Sequence, residues 1–264
     1  MTNRVETAAS EILAGFDTCR QLPPLTDSAP LSLTAGYAIA ERIATKRRDR
    51  GETPVGRKIG FTNRKIWPIY NVDAPVWGWV WDTGLHDVPE SGEITLPARP
   101  ELRIEPEIVF GLRDAPTARM SLKDLWACID WVSHGVELVT SVYPDWRFTA
   151  PDTAAALGMH AGLWLGPRLP AAQIDPDSLP QIALSLTGPE TQLDGSGADV
   201  LGSPLLALHH LVAEIDRQAN SPGIAPGEII TTGTLTDAPR IARGQTWTTR
   251  LTGTALPGLS VHLV

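Results

Sequence analysis

Cysteine is scarce: two in 264 residues, Cys19 and Cys128, too few and too far apart for a disulfide framework, a redox pair or a thiolate metal site. Both are expected to be buried free thiols of a reducing cytoplasm. No apolar stretch approaches the length of a membrane span, and Met1 to Leu13 carries Arg4, Glu6 and Glu11 without an apolar core, so no signal peptide or transmembrane helix is visible. Basic residues are the minority, 22 against 30 acidic ones for a net charge of −8, which leaves no electrostatic footprint for nucleic acid. The one basic cluster, Lys46-Arg47-Arg48 with Arg50, falls at the end of a predicted helix, where cations complement the helix dipole.

What is present describes a globular chain with an ordinary core: 42% hydrophobic and 20% charged residues. Glycine and proline, 23 each, favour many turns between short strands over a helical bundle. Helical spacing of Val5, Ala8, Ile12 and Phe16 predicts a helix over 5–20, stopped by Pro23-Pro24. Ser32 reads as the N-cap of a second helix over 33–48. From Val55 the pattern turns to strands: 55–61, 93–96, 102–112, an apolar run through Val132 and then 135–142, 163–165, 182–186, 228–232, 246–252 and 259–264. Residues 63–69 read as a helical turn, 121–126 as a helix start, and 204–220 as the one clear helix of this half, followed by Gly223 and Pro226. The expected class is α+β, with a helical segment over 1–54 and a mixed β-rich catalytic part over 55–264.

Strand alternation singles out Leu102 to Phe110. Leu102, Ile104, Ile108 and Phe110 share one face, and Arg103, Glu105 and Glu107 share the other. Two carboxylates two residues apart can converge on a hard cation such as Mg²⁺ or Mn²⁺, although a polar outer face is the plainer reading of Glu-x-Glu alone. Glu137 lies between apolar neighbours in Ser133 to Val139, so it needs a cation, a donor or a proton. Lys58, inside Gly56-Arg57-Lys58-Ile59-Gly60, is either a site lysine whose desolvation lowers its pKa or one that snorkels to the surface. Thr231 to Thr234, around Gly233, ends a strand with hydroxyls and amides that can hold a carboxylate. Trp77, Trp79, Trp81 and Trp146 gather near these segments, and aromatics at alternating spacing fill cores more often than pockets.

Taken in order, five segments resemble the 2-keto-4-pentenoate hydratase/4-oxalocrotonate decarboxylase family of the fumarylacetoacetate hydrolase superfamily. They are Gly56–Gly60, Glu105-Pro106-Glu107-Ile108, Val136-Glu137-Leu138-Val139, Val200 to Leu205, and Gly227 to Gly233. The resemblance spans residue 5 to the end. It implies that fold, Mg²⁺ or Mn²⁺ held by Glu105, Glu107 and Glu137, and Lys58 beside a 2-oxo acid substrate. It also implies substrate contacts from Arg57, Trp77, Thr232, Gly233 and Thr234. The expected activity is a hydro-lyase adding water to a 2-hydroxy-2,4-dienoate or 2-oxo-3-enoate in aromatic compound catabolism. The alternatives are a 2-oxo-3-enedioate decarboxylase, an acylpyruvate-type C–C hydrolase and a silent subunit of a hydratase–decarboxylase complex. A homo-oligomer is the expected assembly, with a related hydratase or decarboxylase as a further partner.

Two departures matter. Relatives carry Pro-Asp-aromatic-Gly where this chain has Pro75-Val76-Trp77-Gly78, and valine moves no proton. The Asp-Asn that usually precedes the Ala-Gly strand is also missing, with His160 standing near that place. Asp82 and His160 are therefore the candidate replacements for the lost acid/base group.

Overall fold

A computed structural model describes residues 2–218 and 221–264. Two helices open the chain, α1 (Thr2–Thr18) and α3 (Leu33–Asp49), with a single turn, α2 (Leu25–Ser28), between them. Ile12, Leu13 and Phe16 of α1 pack against Ile39, Ala40 and Ile43 of α3 as a small separate core. Ser32 caps α3 as its position predicts, its hydroxyl oxygen accepting from Ala35 N at 3.2 Å. The basic cluster at the end of α3 is spent on intramolecular ion pairs: Lys46 with Glu6, Arg47 with Glu52 and Arg48 with Glu41.

The β part begins with β1 (Pro54–Gly60), the short α4 (Trp67–Tyr70), β2 (Val76–Trp81), β3 (Leu85–Asp87), β4 (Glu93–Ile94) and β5 (Arg103–Leu112). It continues through α5 (Leu122–Ala127), β6 (Ile129–Val139), α6 (Ala150–Ala155), β7 (His160–Leu165), β8 (Leu169–Pro170), β9 (Ala183–Thr187) and β10 (Gln192–Ser196). The chain closes with α7 (Pro204–Arg217), β11 (Ile229–Thr234), β12 (Thr246–Thr252) and β13 (Ser260–Leu263). Eight strands form the large mixed sheet, in order β2-β1-β11-β5-β6-β7-β3 with β8 against β6, and the other five form a second sheet, β10-β9-β12-β13-β4. The helices-first, mixed-β architecture is the α+β class the sequence predicts.

The faces of the large sheet divide the labour. Ile59, Trp77, Trp79, Ile104, Ile108, Phe110, Val136, Leu138 and Ile230 join the main core, together with Leu208, Leu211 and Val212 of α7. Their neighbours on the alternate positions, Lys58, Glu105, Glu107, Glu137 and Thr231, lie on the opposite face.

Several boundaries differ from expectation. The interrupted apolar run after Asp124 is one unbroken strand, β6, because Gly135 is accommodated opposite Glu107 without breaking the ladder. The tryptophan-rich segment, which received no element from sequence, is the fully buried strand β2. The late helix runs to Arg217 with Gln218 as its C-cap, and the expected extension over Ala219 and Asn220 lies outside the described residues. Cys128 is buried as expected, but Cys19 is exposed at the end of α1. Among the described residues no helix is long and apolar enough to cross a membrane.

Asp152, fully buried on α6, ties that helix to α2. It accepts from Thr26 N at 3.1 Å, Thr26 Oγ1 at 2.6 Å, Thr149 N at 2.9 Å and Thr149 Oγ1 at 2.8 Å. Asp152→Ala strands these donors, so a loss of about 2 kcal/mol is expected in a urea titration. A variant of wild-type midpoint would show that water satisfies them equally well.

Candidate metal and substrate site

The pairing of β5 with β6 sets Glu105 directly opposite Glu137 and Glu107 opposite Gly135. Like charges in direct register repel, so this arrangement needs a compensating cation. Lys58 supplies one. Its strand is separated from β5 by β11, yet its Nζ lies 3.3 Å from Glu137 Oε1 and 3.9 Å from Glu105 Oε2, and it donates to Gly158 O at 3.0 Å. Gly158 has φ +67°, and a Cβ there would stand 2.8 Å from Lys58 Cδ, so glycine leaves room for the lysine stem.

A bulge in β11 completes the cluster. Its register with β5 jumps between Thr231 and Thr234, and Gly233, at φ +96°, donates its N–H to Glu107 Oε2 at 2.8 Å. A side chain at Gly233 would place Cβ 2.0 Å from Thr62 Oγ1. Thr231 Oγ1 donates to Glu137 Oε2 at 3.4 Å, and His160 Nδ1 donates to Glu137 Oε1 at 2.9 Å. One carboxylate oxygen from each of Glu105, Glu107 and Glu137 lies within 4.8 Å of the others.

Burial pushes Glu105 up to about 7, with the charge of Glu137 adding to the shift against Lys58 and Arg103. Burial, then Glu137 and Glu105, push Glu107 well above the usual carboxylate range. For Glu137 burial is outweighed by Lys58 and His160, which hold it below that range. Burial likewise works against the Lys58 ammonium, yet Glu137, Glu105 and Glu107 outweigh it and hold lysine above its ordinary value. The expected lowering of the Lys58 pKa is thus reversed, because three carboxylates, not an apolar pocket, surround it.

Three carboxyl groups face one ammonium, and Glu107 Oε1 is buried with no hydrogen-bond partner. An all-oxygen donor set with an orphaned lone pair fits a hard divalent ion better than a soft one.

The cluster opens into a cavity of about 440 Å³. Lys58, Glu105 and Gly158 form one end, Phe61, Tyr70, Trp146 and Phe148 an aromatic wall, and Arg103, Thr234 and Thr236 further polar points.

Of the residues singled out from sequence, Glu105, Glu107, Glu137, Lys58 and Gly233 come together, His160 reaches Glu137 from behind, and Thr234 lines the cavity. Four do not belong. Arg57 and Trp77 sit on the opposite face, because neighbours of Lys58 and Gly78 must point the other way. There the fully buried Arg57 lies 4.8 Å from the Trp77 ring centre and 3.9 Å from that of Trp79, paired with Glu228 at 3.1 Å. Thr232 also faces the core, its hydroxyl donating to Ile108 O at 2.8 Å. Asp82 is exposed at the far end of β2 and accepts from Thr53 N at 3.0 Å and Thr83 N at 2.9 Å, a turn-capping role. Since Gly78, not Asp82, stands opposite Lys58, four strand residues, or about 13 Å, separate Asp82 from the cluster level. Val76 is fully buried beside Gly60, so its position is filled by packing. Gly158, Arg103, Tyr70 and Phe148 received no role from sequence. Only Arg103 carried a signal, since it shares the Glu105 face.

No family model matches the chain. It is 30% identical over 190 residues to a 2-hydroxypent-2,4-dienoate hydratase from Pseudomonas putida, covering 69% of this chain and 82% of that one. A 4-oxalocrotonate decarboxylase from Pseudomonas sp is 27% identical, with 84% of each chain covered. Among solved structures, a 4-oxalocrotonate decarboxylase from Pseudomonas putida G7, complexed with magnesium and adipate, matches with a TM-score of 0.91 at 23% identity, over 100% of this chain and 98% of that one. Ordered motifs, shared fold and relatives on both sides of the hydratase/decarboxylase divide agree: the chain belongs to the 2-keto-4-pentenoate hydratase/4-oxalocrotonate decarboxylase family.

Proposed function

We propose that the chain is a metal-dependent hydro-lyase that adds water to a 2-hydroxy-2,4-dienoate, through its 2-oxo-3-enoate form, to give a 4-hydroxy-2-oxo acid. The observation that carries this reading is the convergence of Glu105, Glu107, Glu137 and Lys58 on one another, with Lys58 and Glu105 lining the cavity. The three carboxylates would hold Mg²⁺ or Mn²⁺, which supplies Lewis acidity toward the carboxylate and 2-oxo oxygens of the acid.

The chain's own residues do the rest. Lys58, kept charged by its neighbours, donates toward the oxygen on which negative charge develops and relays a proton, passing one to C3 and regaining the one that water gives up as its hydroxyl adds to C4. Gly158 O fixes the ammonium in place. His160 and Thr231 orient Glu137 without touching the acid. The aromatic wall excludes bulk water from the conjugated chain.

The setting that goes with this chemistry is cytoplasmic catabolism of aromatic compounds, in a homo-oligomer or beside a related hydratase or decarboxylase. Purified protein with Mg²⁺ or Mn²⁺, offered a panel of 2-hydroxydienoates in H₂¹⁸O, should yield a product with one labelled hydroxyl at C4. Release of CO₂ instead would make it a decarboxylase, and cleavage into two acids a C–C hydrolase.

A further inference from the structure

Behind the carboxylate cluster lies a second cavity, of about 300 Å³, which shares no wall residue with the first. Leu13 and Phe16 of α1, Trp81 of β2 and Leu157 give it an apolar body, and His160 and Arg99 reach it from two other segments. Two polar groups on this wall are buried with no hydrogen-bond partner among the described residues, His160 Nε2 and Trp81 Nε1. The His160 side chain is only 5% exposed, and its other nitrogen, Nδ1, donates to Glu137 Oε1 at 2.9 Å. Its Nε2 faces Gly84, a residue of the same wall, where a Cβ would stand 3.5 Å away.

The charges on this wall are unevenly matched. Asp17 pairs with Arg50 at 2.7 Å, and Glu52 pairs with Arg47 and accepts from Thr83 Oγ1 at 3.0 Å. Arg99 is left with no acid partner among the described residues. It gives Nη1 to Ala98 O at 3.1 Å and to Phe16 O, and its Cζ lies 5.8 Å from the Phe16 ring centre. The guanidinium is thus anchored while its Nη2 stays uncommitted. Unmet buried polar atoms and an unpaired cation around one small apolar space mark a pocket for a small molecule rather than finished packing.

We propose that this second cavity is an effector site for a small hydroxy acid, whose carboxylate meets Arg99 and whose hydroxyl meets His160 Nε2. A hydroxyl suits the imidazole in either form, since it donates to a lone pair and accepts from an N–H. A short carbon body covers Leu13, Phe16 and Leu157, and either oxygen group can accept from Trp81 Nε1. One side chain transmits occupancy. A hydroxyl bound at Nε2 fixes the ring that orients Glu137, so acid and metal each tighten the other's binding by the same factor. The coupling rests on the reading of Glu137 as a metal ligand, and the binding itself does not.

Calorimetric titration of the Mg²⁺-loaded chain with 3-hydroxybutyrate and with butyrate tests the site, since the second acid lacks only the hydroxyl. The hydroxy acid should bind about tenfold more tightly, because butyrate leaves the buried nitrogen unmet. Gly84→Val, which fills space beside Nε2, and Arg99→Gln should each weaken its binding about tenfold. Neither residue belongs to the carboxylate cluster or to the first cavity. Saturating 3-hydroxybutyrate should also lower the Mn²⁺ Kd about fivefold in the wild type and not in Gly84→Val. Failure of either acid to bind, equal binding of both, or binding untouched in both variants overturns the proposal, the last because the acid then sits on the metal or elsewhere. An Mn²⁺ Kd that 3-hydroxybutyrate leaves unmoved overturns the effector role. Binding that depends on Gly84 and Arg99, in a chain that takes up no Mn²⁺, supports the site while overturning the metal reading.

Discussion

Glu107→Gln is expected to abolish turnover and to raise the Kd for Mn²⁺ at least about tenfold, on the order of 1.4 kcal/mol, while the metal-free chain folds with near-wild-type stability. The two halves of this result come from one cause. Burial and the neighbouring charges of Glu137 and Glu105 hold Glu107 well above the usual carboxylate range, so without a cation the neutral carboxyl is the favoured form. Glutamine copies that neutral form atom for atom. Its amide oxygen can still accept from Gly233 N, the bond that Glu107 Oε2 takes at 2.8 Å. What it cannot offer is an anionic oxygen at the position of Glu107 Oε1, the partnerless atom. Electron paramagnetic resonance titration of Mn²⁺ and a urea unfolding curve measure the two halves separately. Unchanged Mn²⁺ affinity removes Glu107 from the proposed ligands.

Lys58→Met is expected to have the opposite profile, with a large loss of metal-free stability and a fall in kcat of about 10² or more. Methionine nearly preserves the length and apolar stem of a side chain that is only 3% exposed, so packing is kept and charge alone is removed. The carboxylates at 3.3 Å and 3.9 Å then lose their ammonium, and breaking a buried ion pair on one side costs about 3–5 kcal/mol. Mn²⁺ should restore more stability to this variant than to the wild type, because the bound ion replaces part of the missing positive charge. Melting temperatures with and without Mn²⁺ show this, and stopped-flow absorbance reads kcat. Near-normal turnover would reduce Lys58 to a structural counter-ion, and a wild-type melting temperature in the metal-free variant would show that the carboxylates shed their charge instead.

The parts of the site legible in the sequence are those written in short-range chemistry. Glu105 and Glu107 share a face by alternation, Glu137 stands out as an acid in an apolar strand, and Gly233 marks a bulge. Lys58 was visible as a charge between two glycines. Alternation also contained the correction for Arg57, since a residue beside Lys58 on a strand must face the other way. Asp82 failed for a different reason. Proximity in sequence to Val76 suggested proximity in space, whereas an extended strand carries four residues about 13 Å. Pairings across the chain were beyond reach. Nothing in Gly158 announces that its carbonyl, one hundred positions away, receives the Lys58 proton donor, and nothing in Trp146 announces that it stacks on Arg103. The strand character of Val76–Trp81 was obscured by Pro75 and Gly78, yet glycine is required there, because a Cβ at Gly78 would lie 2.0 Å from Leu157 O.

The reacting end of the cavity is built on the inner strands β1, β5, β6 and β11, and most of the aromatic wall is borne on α4 and on the chain between β6 and α6. This division gives the scaffold two mutational clocks. Changes in the sheet disturb a ladder in which every strand has two neighbours, and selection removes them. Insertions and replacements around Tyr70, Trp146 and Phe148 disturb no ladder, so the wall of the cavity can be rebuilt while the carboxylate cluster beneath it is kept.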